Sequence, residues 1–370
     1  MSDPHLTTPA GKPRARSLGI PFDGIAGPFN AITDVAGVGV GYTTLIAGDG
    51  PLATGSGPVR TGVTAILPRP PERCLEPVFA GFHSQNGNGE MTGTHMIAEV
   101  GAFTLPVTIT NTHACGITRD ATIAWANRTM PGGLDDAWGL PVAAETYDGF
   151  LNDINGGHVR AEHVTAAIDA ASGGPIEEGS VGGGTGMICF QFKGGSGTAS
   201  RLVAHAAERY TVGVFVQANF GQRRNLTIRG RRLGETLAEP ALLERTPKRD
   251  KGSVIGVLAT DAPLLPHQLR RLAHRMPLGI GLTGGYAYHS SGDIFLAFST
   301  ANAEALRPGT RDFARAEFIP DAALDGFFDA AIQATEEAVL NAMVANADMT
   351  GRDGNFVPAL PRDRVAAAFA

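Results

Sequence analysis

The sequence is poor in cysteine. Cys74, Cys115 and Cys189 are its three, scattered and without a C-x-x-C pair. An odd, dispersed set argues against a disulfide framework or a structural zinc site and suits a reducing compartment. Nowhere is there the run of about 18 apolar residues that a membrane-spanning helix needs. The first twenty residues carry no apolar core of the kind a secretory leader has. The expectation is therefore a cytoplasmic chain with no membrane partner. Charge is also scarce, at 18% of residues, and 36 acidic against 30 basic side chains leave a net −6. That balance argues against a general nucleic-acid binder, and the arginines at 223–232 read as a solvated loop. No G-x-S-x-G elbow marks an α/β-hydrolase. G-G-G-T-G at 182–186 lacks the following Lys-Ser/Thr of a phosphate loop and reads as a close packing turn. His83, His95 and His113-Ala-Cys115 have no H-E-x-x-H or C-x-x-C companion, so they read as structural and no metal site is assigned.

Glycine is abundant, with 49 of 370 residues, but shows no collagen period and no repeat at any fixed spacing. It implies tight turns and close backbone contacts. With 43% hydrophobic residues the chain can bury a sizeable core. Residues 1–17 read as a loose polar arm. Short runs rich in Val, Ile, Thr and Phe, bounded by Gly or Pro, predict strands at 35–42, 59–67, 77–82, 105–110 and 212–220. The almost wholly apolar runs at 253–260 and 294–299 predict strands buried on both faces. Helical spacing predicts helices over 158–172, from Leu265 to Met276 after Pro263 and Pro266, and over 321–347. Strands and helices mix without strict βαβα alternation, which favours a layered α/β sandwich over a doubly wound sheet.

Residues 221–252 are the least apolar and most charged part of the chain and read as an exposed linker. They end in Lys251-Gly252-Ser253, where the serine opens the buried run 253–260. Taken alone, the junction reads as a strand reached through a flexible turn. The chemical alternative is a cut between Gly252 and Ser253. Glycine leaves its carbonyl unhindered and tolerates strained dihedrals. The Ser253 hydroxyl would attack that carbonyl, the chain would shift from nitrogen to oxygen, and water would release an amino-terminal serine. That residue would hold nucleophile and base together, because an α-amino group has a pKa of about 7.7–8.0.

K-G-S-V-I-G-V-L-A-T-D-A-P-L-L-P at this junction, with T-G-G-Y-A-Y-H-S-S-G-D at 283–293, resembles the DmpA-type self-processing aminopeptidases, which include L-aminopeptidase D-amidase/D-esterases and β-peptidyl aminopeptidases. N-A-I-T-D-V-A-G-V-G-V-G-Y at 30–42, N-G-N-G-E-M-T-G at 86–93, E-T-Y-D-G-F-L-N-D-I-N at 145–155 and V-Q-A-N-F-G at 216–221 agree in order. The resemblance implies a four-layer αββα sandwich like that of amino-terminal-nucleophile hydrolases, with different connectivity. It implies a larger fragment 1–252, carrying the linker, and a smaller fragment 253–370, both in one folded domain. Neither metal nor organic cofactor is implied. The implied partners are small peptide, amino-acid amide or ester substrates, and further copies of the processed pair in a homo-oligomer.

Carried over residue by residue, the resemblance makes Ser253 the nucleophile and Asn219 the amide that stabilises the oxyanion. Tyr147 becomes an additional donor and Glu145 a partner for the substrate ammonium. Ser291 and Asp293 hydrogen-bond around the nucleophile and orient its amine; some relatives have Glu where Asp293 stands, one methylene longer. Trp138 is assigned either to the specificity pocket or to core packing. Two other readings stay open at this level. One is an acyltransferase passing the acyl group to an amine, as in similar ornithine acetyltransferases, which however carry threonine at the cut. The other is an uncut binding protein on the same scaffold.

Overall fold

Strand β9 (Ser253–Thr260), buried along its whole length, sits deep inside a six-stranded sheet, as its uninterrupted apolar sequence requires. The computed structural model describes residues 3–243, 252–306 and 312–370. The strands of the two main sheets are β1 (Gly39–Ala47), β2 (Val59–Leu67), β3 (Val78–Gly87), β4 (Ala102–Phe103), β5 (Val107–Asn111), β6 (Ala143–Thr146), β7 (Gly195–His205), β8 (Glu208–Asn219), β9 and β10 (Gly292–Ser299). One sheet has the order β1-β2-β5-β6, the other β4-β3-β10-β9-β8-β7. Within the larger sheet only β9 and β10 run parallel. Their crossover is made by α4 (Pro266–Ala273) and α5 (Met276–Leu282), as parallel neighbours need.

Alternation along each strand decides which layer a side chain joins. Ile255, Val257, Phe215, Ile294 and Leu296 meet Val40, Ile66, Ile109 and Ala144 between the two sheets. The opposite faces, through Val254, Leu258, Val214 and Val216, pack on α4, α5 and α6 (Asp325–Val344). On the far side, Val63, Ala65 and Leu67 pack on α2 (Cys115–Thr129) and α3 (Ala161–Asp169). The result is the αββα sandwich.

Several expected elements differ. β1 starts at Gly39, later than expected, and runs on to Ala47. His274 and Arg275 separate α4 from α5, with Pro277 at the second position of α5, so one expected helix is two. The helix expected from 321 begins as a separate turn, Asp321–Ala323. The amino-terminal arm is not loose. The buried Arg14 guanidinium donates to Glu178 at 2.7 Å and to the carbonyls of Asn30 and Thr198. The exposed linker is also narrower than expected, because Leu226, Ile228, Leu233 and Leu237 are buried. Charged neighbours hid these spaced anchors. Residues 244–251, including Lys251, lie outside the described residues. The 182–186 turn is the packing device anticipated: a Cβ on Gly183 would lie 2.5 Å from the Ile109 carbonyl oxygen, and one on Gly184 2.3 Å from Ser196 N.

Candidate active site

The junction lies where β9 begins. Ser253 pairs with Asn219, the last residue of β8, and on its other side with Gly292, the first of β10. Strand alternation puts the side chains of Ser253, Ile255 and Val257 on one face, toward the space between the sheets, and Asn219 joins Gln217 and Phe215 on that same side. Ser253 is buried, and its Oγ has no hydrogen-bond partner among the described residues. A buried, unsatisfied hydroxyl costs about 1–3 kcal/mol, so its retention calls for a chemical explanation.

Two backbone groups fix the Asn219 amide. Its Oδ1 accepts from Ile188 N–H at 2.9 Å and its Nδ2 donates to the Tyr147 carbonyl at 2.9 Å. The amide face is thereby set, and one N–H remains to donate elsewhere. The carbonyl of Gly252, which the Ser253 hydroxyl would attack, already accepts from Gly292 N–H at 3.2 Å.

Ser291 and Asp293 gather on the Gly252 side. Ser291 Oγ donates to Asp293 Oδ1 at 2.7 Å and stands 3.3 Å from where a Gly252 Cβ would be. Burial pushes the Asp293 carboxyl up, opposed by the hydrogen bonds from Ser291 and from Val254. Phe220, Ile280, Tyr286 and Tyr288 complete a small cavity around Gly252. Tyr288 Oη accepts from Asn225 Nδ2 at 2.8 Å, which fixes that ring.

Glu145 approaches from the other sheet. Its Oε1 accepts from Glu90 N–H at 2.9 Å, its Oε2 accepts from the Thr112 hydroxyl, and burial raises its carboxyl. A Cβ on Gly89 would lie 3.3 Å from Glu145 Oε1 and 3.2 Å from Gly292 Cα, so only a glycine's width separates this carboxylate from the start of β10. Tyr147 follows on the same strand end, and its ring lies against Gly149.

The structure thus brings together Ser253, Asn219, Tyr147, Glu145, Ser291 and Asp293. Trp138 is 78% exposed and is not among the residues around Gly252. Among the described residues no group of His, Cys, Asp and Glu could hold a metal ion. The aromatic pair Tyr286 and Tyr288 and the asparagines Asn86 and Asn88 escaped the reading of the sequence as site residues. They stood inside quoted motifs, T-G-G-Y-A-Y and N-G-N-G, but carry no reactive group to single them out.

Comparison with known proteins identifies the family. The model of peptidase family S58 matches residues 30–357. A β-peptidyl aminopeptidase, BapA, of Sphingosinicella microcystinivorans is 51% identical over 96% of this chain and 91% of its own. The solved L-aminopeptidase D-Ala-esterase/amidase of Ochrobactrum anthropi, described as a prototype serine aminopeptidase and a new variant of the Ntn hydrolase fold, is 48% identical. It superposes with a TM-score of 0.89 over 96% of this chain and 98% of its own. A β-aminopeptidase from a Burkholderia species is 45% identical with a TM-score of 0.86, over the same shares. The chain belongs to peptidase family S58, hydrolases on a variant of the amino-terminal-nucleophile fold.

Proposed function

We propose that the chain cuts itself between Gly252 and Ser253 and then works as a serine aminopeptidase and amidase, releasing amino-terminal residues from short peptides, amides or esters. The observation that carries this reading is the Ser253 hydroxyl. It is buried and unpartnered, follows the glycine carbonyl directly, and stands in register with Asn219. In the cut, Oγ bonds to the Gly252 carbonyl carbon, the C–N bond breaks, and the hydroxyl proton ends on the freed nitrogen. Water then hydrolyses the ester, leaving a Gly252 carboxylate and restoring the hydroxyl.

In turnover the Ser253 α-amine takes the hydroxyl proton as Oγ attacks the substrate carbonyl, then gives it to the leaving amine. Asn219 Nδ2–H supports the oxyanion, with Tyr147 as a further donor. Glu145 pairs with the substrate's free ammonium, which limits attack to the first residue of a peptide. Ser291 and Asp293 hold the Ser253 amine. Trp138, exposed at the surface, is given neither a pocket nor a core-packing role in this reading. The fragments, 1–252 and the remaining 118 residues, stay together in one domain, and processed pairs assemble into a homo-oligomer in the cytoplasm.

The test is the intact mass of freshly purified protein, with amino-terminal sequencing of any smaller band. Two fragments, the smaller beginning Ser-Val-Ile-Gly, support the reading. Ser253→Ala should give one uncut chain inactive on L-, D- and β-aminoacyl amides; turnover by that variant overturns it.

A further inference from the structure

Between the Glu145 side of the site and the Ser291 side runs the segment 86–90, to which the mechanism above gives no task. β3 pairs with β10 in register from Phe79 to Ser84, then slips: Ile294 faces Ser84 while Asp293 faces Asn86. Gln85 is the extra residue of a bulge, a device that bends a strand and re-aims the side chains beyond it. Beyond the bulge two amides reach into the loop that carries Ser291. Asn86 Nδ2 donates to the carbonyls of Tyr288 at 2.7 Å and Ala287 at 3.2 Å. Asn88 Nδ2 donates to the carbonyl of His289 at 2.5 Å, with that of Ser291 at 3.3 Å. Two side chains thus gather four carbonyls of this loop, those of Ala287, Tyr288, His289 and Ser291. The loop needs such a grip, since Ala287 is held at φ +46°, a left-handed conformation unfavourable for a residue with a Cβ.

We infer that Asn86 and Asn88 are positioning residues: they set the loop 287–291 and with it the Ser291 hydroxyl against the Gly252–Ser253 bond. The inference rests on the proposed role of that bond. The close packing supports it, because a Cβ on Gly292 would lie 2.5 Å from the Asn88 carbonyl oxygen and leave no slack between clasp and site. The same segment holds Glu145 through Glu90 N–H, so both flanks of the substrate are referred to one short stretch of backbone. Neither asparagine touches the reacting atoms. Their contribution is the placement of another residue, and misplacement by about 1 Å costs on the order of 100-fold in rate.

Asn86→Asp and Asn88→Asp keep size and shape but replace the donating amide by a carboxylate facing carbonyls. Each should slow both self-cutting and turnover of an aminoacyl p-nitroanilide by roughly 10- to 100-fold in kcat, with KM changed far less. Asn86→Gln and Asn88→Gln keep a donor and should recover part of the rate. Equal rates for the Asp variants and the parent overturn the inference, and so does a loss that tracks the folded fraction alone, measured by thermal melting. Ser253→Ala run in parallel separates the two claims. If it turns over, the reading of Ser253 falls; if it is inert while the Asp variants match the parent, only the clasp falls.

Discussion

Asn219 and Ser253 are register partners at the ends of β8 and β9, so the amide proposed as oxyanion donor and the hydroxyl proposed as nucleophile are joined by one antiparallel pair rather than by loops. Their spacing is therefore as rigid as the sheet, and the amide is further pinned by Ile188 and Tyr147.

Replacing Asn219 by Ala removes the donor and leaves a buried N–H and a buried carbonyl unpaired. A fall of about 10²–10³ in kcat is expected, the scale of losing one oxyanion donor. A loss of about 1–3 kcal/mol in stability should accompany it. Steady-state kinetics with denaturant unfolding checks both; unchanged kcat would remove Asn219 from the reaction.

In the proposed mechanism an ionised Asp293 carboxylate holds the Ser253 amine; burial raises this carboxyl while the Ser291 bond lowers it. Activity should fall as pH drops through that raised value. Ser291→Ala removes a lowering influence, so the acidic limb of the kcat/KM profile should move to higher pH. A shift to lower pH would contradict the assignment.

Asp148, directly after Tyr147, is fully buried, with Oδ2 unpartnered and its carboxyl pushed up to about 7 by burial. Its folded value lies above the unfolded one, so the folded state holds the proton longer. Stability should therefore decline as pH rises from about 4 to about 7. Asp148→Asn should flatten that decline in melting temperature, with the gain over the parent greatest above pH 7. Parallel curves for the two proteins would argue against it.

Gly197 lies in β7 under α6: a Cβ there would stand 2.0 Å from the Ala338 carbonyl oxygen and 2.6 Å from Ala342 N. Gly197→Ala should force the helix off the sheet and cost about 1–3 kcal/mol or more. Urea unfolding of the otherwise intact protein reads this; an unchanged midpoint would show that α6 yields freely.

The most apolar elements were legible in sequence. β2 and β9 have the predicted bounds because both faces of each strand are buried, and hydrophobicity alone marks them. β7 was not recognised: G-S-G-T-A-S-R offers small and polar residues, which fit because α6 packs directly on the backbone and buried ions such as Arg201 with Glu337 pair beneath it. α2 was missed for a related reason, since Thr118 and Thr122 face inward beside Trp125 and no apolar stripe forms. The residues proposed for the site, Ser253, Asn219, Tyr147, Glu145, Ser291 and Asp293, were named through motif resemblance. Asn86, Asn88 and the Gly292 N–H act through carbonyls and backbone, which leave no residue-type signature.

The order of strands, β3-β10-β9-β8, places two strands from beyond the Gly252–Ser253 bond between two from before it: β9 and β10 follow the bond, while their outer neighbours precede it. A cut there changes the molecularity of folding. Before it, β9 finds β8 within its own chain, at the high effective concentration a tether supplies; afterwards the same sheet must form from two separate molecules. The uncut chain should refold at a rate independent of dilution, whereas denatured processed protein should refold more slowly the more dilute it is. The proposed self-cutting at this place would thus commit the chain to its first successful folding.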